Sequence, residues 1–285
     1  MKKIFLLWGL VGLIASLSAQ SVLWQVSGRN LQAPSYLYGT IHIQDGRVFS
    51  FDSTVWHCFD QCDALAVELL LDELNVSAVR EEMMLPKGQT LNELFPKEDY
   101  RALDSLCKAK LGAGLIFFNR MKPFFLLSAL QQVDIPKEMP VALDMFLLQQ
   151  ARAKGMQCYG LEDYMEQIKA IDAISLKEQV KMLQDVIYDT NSMAVQFDTL
   201  LDAYLSADMD KWEEMLKDPS LPENFNKRLL EKRNVTMYKG FCKLTKKHRV
   251  FCAVGCGHLA GDQGLIEMLR KKGYTVEPVM FSWTK

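Results

Sequence analysis

The sequence predicts an α/β (α+β) fold: a mixed central sheet built from the N- and C-terminal segments, with large helical insertions between them. Short runs rich in β-branched and aromatic residues occur near both ends of the 285-residue chain, and helical periodicity dominates its middle. Hydrophobic residues make up 49% of the chain, enough to fill the core of an enzyme-sized body. We therefore predict a single domain over residues 20–285.

The N-terminal part of the predicted sheet consists of two strands, a helix and a third strand. Residues 22–26 and 36–41 have the composition of strands and are separated by a turn-rich loop. Asp52 is placed to cap a helix with apolar residues at helical spacing. The continuous apolar run 64–70 is typical of a buried strand, and strand, helix, strand is the repeating unit of an α/β sheet.

Helical patterns then occupy two long insertions, at about residues 75–136 and 163–244. Between them, residues 142–154 predict a helix that Gly155 ends, and residues 156–161 predict a short strand. The chain closes with a strand, a helix and a strand, predicted over residues 250–254, 261–272 and 274–281, with Gly273 ending the helix.

Residues 1–19 have the layout of a secretory signal peptide: Lys2 and Lys3, an apolar run over 4–15, then small residues. A membrane anchor is the alternative, but the apolar run is shorter than the roughly 20 residues that span a bilayer. The expected location is outside the cytoplasm, periplasmic or extracellular, with no stable membrane insertion after signal cleavage.

Charge and cysteine content argue against two classes of function. The formal net charge is -2, with 33 basic and 35 acidic residues, so no nucleic-acid partner is expected. The seven cysteines include Cys58 and Cys62, and Cys252 and Cys256. A four-thiolate metal site is one interpretation of these pairs, but their apolar surroundings favour buried thiols that act as small hydrophobic residues.

Two Gly-x-x-His segments, Gly39 to His42 and Gly255 to His258, carry the predicted chemistry. Each histidine follows a predicted strand, so both imidazoles fall at carboxyl ends of strands, where α/β proteins bind ligands. Gly39, Gly255 and Gly257 allow a sharp turn or a close approach of the backbone to a ligand. Neutral imidazole is a common metal ligand. His57 and His248 match no motif and are expected on the surface.

Glu68 is the candidate carboxylate, because it is a lone charge in the apolar run 64–70. A carboxylate is rarely buried without a cation or hydrogen-bond donors. Together with His42 and His258 it predicts a metal site, in which Glu68 is either a ligand or a general base. Taken singly, each histidine could also be a hydrogen-bonded residue at a turn.

The chain resembles the TraB/GumN family, which includes the TIKI-type proteases and is related to ChaN-like and erythromycin-esterase-like proteins. The resemblance covers about residues 23–279 and depends on the order of several short motifs: Tyr38-Gly39-Thr40-Ile41-His42, Glu68, Gly160-Leu161-Glu162 with Gln167, Arg233-Asn234, and Val254-Gly255-Cys256-Gly257-His258-Leu259 followed by Gly261, Gly264 and Leu265.

The resemblance implies His42 and His258 as metal ligands, Glu68 as ligand or base, and Arg233 with Asn234 facing the site from a helix that starts near residue 223. On physical grounds Arg233 either stabilises an oxyanion or holds Glu68 in position; a solvated helix face is the alternative. Glu162 is a further candidate, and a helix-capping role for the Glu162-Asp163 pair is the other interpretation.

The leading functional prediction is an exported metal-dependent hydrolase, a peptidase in particular, with a peptide or small-molecule substrate. Nitrogen and oxygen ligands suit zinc, manganese or cobalt, and the resemblance favours manganese or cobalt. The alternatives are a non-catalytic protein that sequesters a peptide and a haem- or iron-handling protein.

Overall fold

The computed structural model describes residues 21–29, 31–188, 191–217 and 225–284. The predicted signal peptide lies outside the described residues. Within these ranges, no helix is both long enough and apolar enough to cross a bilayer.

A six-stranded mixed sheet forms the centre of the fold, as predicted. Its strands are β1 (Leu23–Ser27), β2 (Ser35–Thr40), β3 (Ala64–Val67), β4 (Gln157–Gly160), β5 (Val250–Gly255) and β6 (Thr275–Pro278). They are ordered β4-β3-β5-β2-β1-β6. The four strands from β4 to β2 are parallel, and β1 is antiparallel to both of its neighbours. Strands from both ends of the chain therefore lie side by side.

Along the described chain, all of the α-helices lie between strands. In chain order they are α1 (Ser53–Asp60), α2 (Val76–Glu82), α3 (Leu91–Leu94), α4 (Lys97–Leu111), α5 (Pro123–Gln131), α6 (Leu143–Ala153), α7 (Tyr164–Asp172), α8 (Leu176–Tyr188), α9 (Asn191–Leu205), α10 (Met209–Leu216), α11 (Lys232–Leu244) and α12 (Leu265–Lys271). Asp52 caps α1 by accepting from the Thr54 N–H at 2.8 Å, as predicted. Gly155 and Gly273, which follow α6 and α12, have φ of 70° and 87°, a conformation that favours glycine.

Alternation along the strands gives the sheet two buried faces. One face, which includes Tyr38 and Phe251, packs against α1, α6 and α9. The other, which includes Leu37 and Cys252, packs against α11 and α12. A third hydrophobic cluster lies away from the sheet, among α4, α5 and α8. Helices of both insertions, α4 and α5 from the first and α8 from the second, thus share a core away from the sheet.

Two predicted boundaries were wrong. The strand predicted over residues 64–70 ends at Val67, where its pairing with β4 ends at Gly160, so Glu68 lies just beyond the strand. The helix predicted from residue 261 begins only at Leu265. Gly261 has φ of 76°, which a helix cannot accommodate.

All seven cysteines lie within the described ranges and are free thiols. Cys58, Cys62, Cys252 and Cys256 are buried, which supports their interpretation as small hydrophobic residues. His57 is exposed as expected, but the expectation for His248 was wrong. Its ring is half-buried, because Nδ1 lies 3.0 Å from Asp63 Oδ1 and the ring packs against Tyr159.

Candidate functional site

The ends of three adjacent parallel strands bring His42, Glu68 and His258 together. Glu68 directly follows β3, and His42 lies two residues beyond β2. His258 closes a short 3-10 turn, Cys256–His258, that follows β5. Because β5 lies between β3 and β2, the three side chains meet at one edge of the sheet.

Both imidazoles direct Nε2 at the same carboxylate oxygen. Glu68 Oε1 lies 3.9 Å from His42 Nε2 and 3.7 Å from His258 Nε2. Gly255 borders the space between them. A Cβ at this position would stand 3.1 Å from Glu68 Oε1, 3.6 Å from His258 Cδ2 and 3.8 Å from His42 Nε2. Glycine at this position therefore keeps open a small space bordered by all three side chains.

The other ring nitrogen of each histidine is already engaged. His258 Nδ1 lies 2.6 Å from Asn234 Oδ1, while Asn234 Nδ2 donates to the Gln263 carbonyl at 2.8 Å. That second bond fixes the orientation of the amide, so His258 Nδ1 carries the proton and Nε2 has a free lone pair. His42 Nδ1 lies 2.8 Å from Asp144 Oδ2, an acceptor that fixes the same tautomer.

Glu68 is held on both oxygens. Oε1 accepts from the Gly255 N–H at 2.7 Å. Oε2 accepts from Arg233 Nη2 at 2.6 Å and from Gln167 Nε2 at 3.2 Å. The carboxylate therefore has a single fixed position facing the two imidazoles.

Arg233 joins Glu68 to a second buried carboxylate. Its Nε and Nη2 donate to Glu162 at 2.9 and 2.8 Å, and the Glu162 side chain is 0% exposed. Nη1 donates to the Leu229 carbonyl, within a π-helical turn that precedes α11. The guanidinium is thus committed to fixed partners. Asp163 caps α7, so the capping interpretation of the Glu162-Asp163 pair is confirmed for Asp163 but not for Glu162.

The other two predicted glycines have different surroundings. Gly39 lies inside β2, and a Cβ there would stand 3.0 Å from Cys256 Sγ and 3.1 Å from Leu259 Cδ1, which makes its role one of close packing. A Cβ on Gly257 would come no closer than 3.9 Å to Leu230. Gly255 alone of the three borders the imidazoles and the carboxylate.

The electrostatics of the site favour a cation between these groups. Burial lowers the pKa of His258 to about 4, so this imidazole is neutral. Burial would raise the pKa of Glu68, but the Arg233 guanidinium, the protonated His42 and the Gly255 N–H outweigh it and hold that pKa below its usual range. Arg233 is charged whatever the state of the imidazoles, so the carboxylate is ionised.

His42 differs from His258 in exposure and in charge. Its ring is 56% exposed. Desolvation lowers its pKa, but Asp144 and Glu68 outweigh this effect and raise the pKa to about 9. The two carboxylates that stabilise an imidazolium would equally stabilise a metal cation.

The donor set fits a divalent metal in chemistry and approximately in spacing. Two imidazole nitrogens and one carboxylate oxygen are ligands that zinc and related metals accept. No group of three His, Cys, Asp or Glu residues in the described ranges forms a ready-made coordination shell. The 3.7 and 3.9 Å separations exceed by a few tenths of an ångström the ~3.4 Å between two ligands of a tetrahedral zinc.

A cleft of about 420 Å³ opens beside this group. Its walls are partly apolar, and its polar lining includes Lys137 and Gln132 besides the site residues. Thr40 Oγ1, also in the lining, is buried and has no hydrogen-bond partner in the described part of the chain. The cleft therefore offers both apolar surface and polar groups to a ligand.

Comparison with known proteins identifies the family. The model of the TraB/PrgY/gumN family matches residues 22–278. The chain belongs to this family. It is similar to metalloprotease TIKI2 of Danio rerio, with 24% identity over 93% of this chain and 63% of that protein. It is also similar to metalloprotease TIKI1 of Homo sapiens, with 25% identity over 90% of this chain and 61% of that protein.

The chain therefore spans about three fifths of the length of these two TIKI proteins. An uncharacterized protein of Treponema pallidum (strain Nichols) is 22% identical over 89% of this chain and 81% of that protein. No solved structure gives a significant match.

Two residues of the candidate site were not predicted to contact it. Asp144, which contacts His42, lies in the first turn of α6, where an acidic residue is ordinarily explained by the helix dipole. Gln167, which contacts Glu68, lies in α7 and belongs to the motifs of the family resemblance, but no role was assigned to it.

Proposed function

We propose that this chain is a metal-dependent hydrolase that cleaves peptide bonds. The observation that carries the proposal is the convergence of two imidazole Nε2 atoms on one ionised carboxylate oxygen, with both Nδ1 atoms engaged elsewhere. The similarity to proteins named as metalloproteases supports the same reaction class.

The proposed ligands are His42 Nε2, His258 Nε2 and Glu68 Oε1, for manganese, cobalt or zinc. Three protein ligands leave positions for water and substrate. A bound divalent cation supplies Lewis acidity, which polarises a scissile carbonyl and makes water nucleophilic at neutral pH.

The protein's own residues prepare this site in three ways. Glu68, fixed on both oxygens and with a low pKa, is better suited to be a ligand than a general base. Arg233 and Gln167 hold Glu68 in place, so the geometry favours the positioning role for Arg233 over oxyanion stabilisation. Asn234 fixes the tautomer of His258.

The cleft is the proposed substrate site. Its apolar walls, which include Ile43, Ile135 and Leu148, suit side chains of an extended peptide. The polar side chains of Gln132 and Lys137 offer bonds to peptide groups. Export remains the prediction from residues 1–19.

Metal content tests the ligand set. Elemental analysis of the purified protein, reconstituted with manganese, cobalt or zinc, should give about one equivalent of metal per chain for a single site. The double variant His42→Ala, His258→Ala should lose the metal. His57→Ala, which removes an exposed histidine of α1, should retain it. Absence of metal from the reconstituted wild-type protein would overturn the proposal.

Peptide turnover separates hydrolysis from capture. A peptide mixture incubated with the reconstituted protein is analysed by mass spectrometry for cleavage products. The proposal expects products that disappear in Glu68→Gln and on chelation. If the metal-loaded protein binds peptides but releases them intact, sequestration is the function instead.

A further inference from the structure

The carboxylate that contacts His42 has features that folding alone does not explain. Asp144 Oδ2 lies 2.8 Å from His42 Nδ1, and the Asp144 side chain is 12% exposed. Its other oxygen, Oδ1, is buried and has no hydrogen-bond partner in the described ranges. Leaving a buried acceptor unpaired is destabilising. Asp144 is therefore an unfavourable residue for packing alone.

Asp144 is attached to a firmly packed element. It lies in the first turn of α6, where the helix dipole stabilises a negative charge. The neighbouring residues Leu143, Leu147 and Leu148 are buried in the core below the sheet. The carboxylate consequently has a fixed position relative to β3, the strand that presents Glu68.

His42 needs such a partner more than His258 does. The His258 side chain is 5% exposed, so packing restricts its ring in addition to the Asn234 bond. The His42 ring is 56% exposed and follows the end of β2. Within the described part of the chain, Asp144 is the group in hydrogen-bond contact with the His42 ring.

We propose that Asp144 is the positioning residue for His42, forming a carboxylate–histidine–metal arrangement in which it fixes the tautomer and the direction of Nε2. This inference rests on the proposed function, because it assigns His42 as a metal ligand. Asp144 lies on the Nδ1 side of the ring, away from Nε2, so it acts through His42 and does not contact the reacting atoms. Partners of this kind commonly contribute 10- to 100-fold to metal affinity.

The test is a double-mutant cycle on the affinity of the full-length protein for Zn²⁺ and Co²⁺, measured by competition with a chromophoric chelator. Asp144→Ala should weaken binding by about 10- to 100-fold and change the visible absorption of bound Co²⁺. Asp144→Asn keeps an acceptor of the kind that Asn234 offers to His258, so its loss should stay below about tenfold. Gln149→Ala, an exposed change on α6, is the matched control and should bind as wild type.

The His42→Ala background decides whether the effect passes through the histidine. There, Asp144→Ala should change the affinity by less than about twofold, because the residue that it positions is gone. An equal loss in both backgrounds would overturn the positioning role, as would unchanged affinity and unchanged Co²⁺ absorption in both Asp144 variants of an otherwise wild-type chain. Asp144→Asn keeps the cycle informative if Asp144→Ala does not fold. Absence of metal binding by the wild type would instead overturn the proposed function and this inference together.

Discussion

Gly255→Ala is the sharpest perturbation of the proposed site, because it adds one methyl group among the three proposed ligands. Gly255 has φ of -52° and ψ of 136°, values that alanine adopts without strain. The added Cβ would stand 3.1 Å from Glu68 Oε1, so the carboxylate must move by a few tenths of an ångström. Its hydrogen bond from the Gly255 N–H, now 2.7 Å, would be distorted as well.

The expected result is a protein that folds but binds metal poorly. Displacement of a ligand by this amount should cost about as much as loss of an outer-shell partner, about 10- to 100-fold in affinity or ~1.4–2.8 kcal/mol. The free energy of unfolding should change little, because replacing glycine at a compatible position contributes ~0.4–1 kcal/mol of stabilisation through the unfolded state. Chelator competition measures the affinity, and thermal unfolding by circular dichroism measures the stability.

Gly257→Ala is the matched control in the same turn. Its Cβ would meet Leu230 and Leu216 only at ordinary contact distances of 3.9–4.0 Å, so both affinity and stability should remain close to those of the wild type. Wild-type metal affinity in Gly255→Ala would refute the proposed position of the metal. Equal losses in both variants would show that the turn, and not the space beside Gly255, controls binding.

Three further outcomes follow from the contacts of the site. Arg233→Met leaves the buried Glu162 without its cation and should lower the free energy of unfolding by about 3–5 kcal/mol. Urea unfolding measures that free energy, and wild-type stability would contradict the pairing of Arg233 with Glu162. Asn234→Ala removes the acceptor for His258 Nδ1 and should reduce metal affinity by about 10- to 100-fold, whereas Asn234→Asp should retain most of that affinity. If chelator competition showed tighter metal binding by Asn234→Ala than by Asn234→Asp, it would argue against the assigned tautomer. Asp144 raises the pKa of His42, so a metal that binds His42 must displace a proton. Metal affinity should therefore fall by up to about tenfold per pH unit as the pH drops below that pKa. A pH-independent affinity would show that His42 is not a ligand.

The sheet and the meeting of its strand ends could be predicted because their signals are local. Short runs of aromatic, β-branched and other apolar residues locate β2 and β5, and the apolar run before Glu68 locates β3. Glycines mark where the chain turns after β5 and after α12. Strand order is a global property, but parallel strands that end in polar residues restrict the alternatives, because their carboxyl ends share one edge.

The second layer of the site could not be predicted in the same way. Asp144 and Gln167 come from helices, where a first-turn acid or a half-exposed glutamine is ordinary and carries no signal of its own. Glu162 and Asp163 are adjacent acids with opposite roles: Asp163 caps α7, while Glu162 turns inward to Arg233. Only the packing of α11 against the sheet, which brings Arg233 to Glu162, decides which of the two acids turns inward and which caps the helix.

This division between strands and helices explains how the fold can build a fixed site from residues far apart in the chain. The strand ends supply the three groups that face one another, and residues from three helices then hold them: Asp144 of α6 holds His42, Gln167 of α7 and Arg233 of α11 hold Glu68, and Asn234 of α11 holds His258. The inserted helices therefore do more than cover the sheet. Residues of these helices hold the proposed metal ligands through hydrogen bonds at 2.6–3.2 Å. Substitutions of such residues should therefore change metal affinity even where the substituted residue contacts neither the metal nor the substrate.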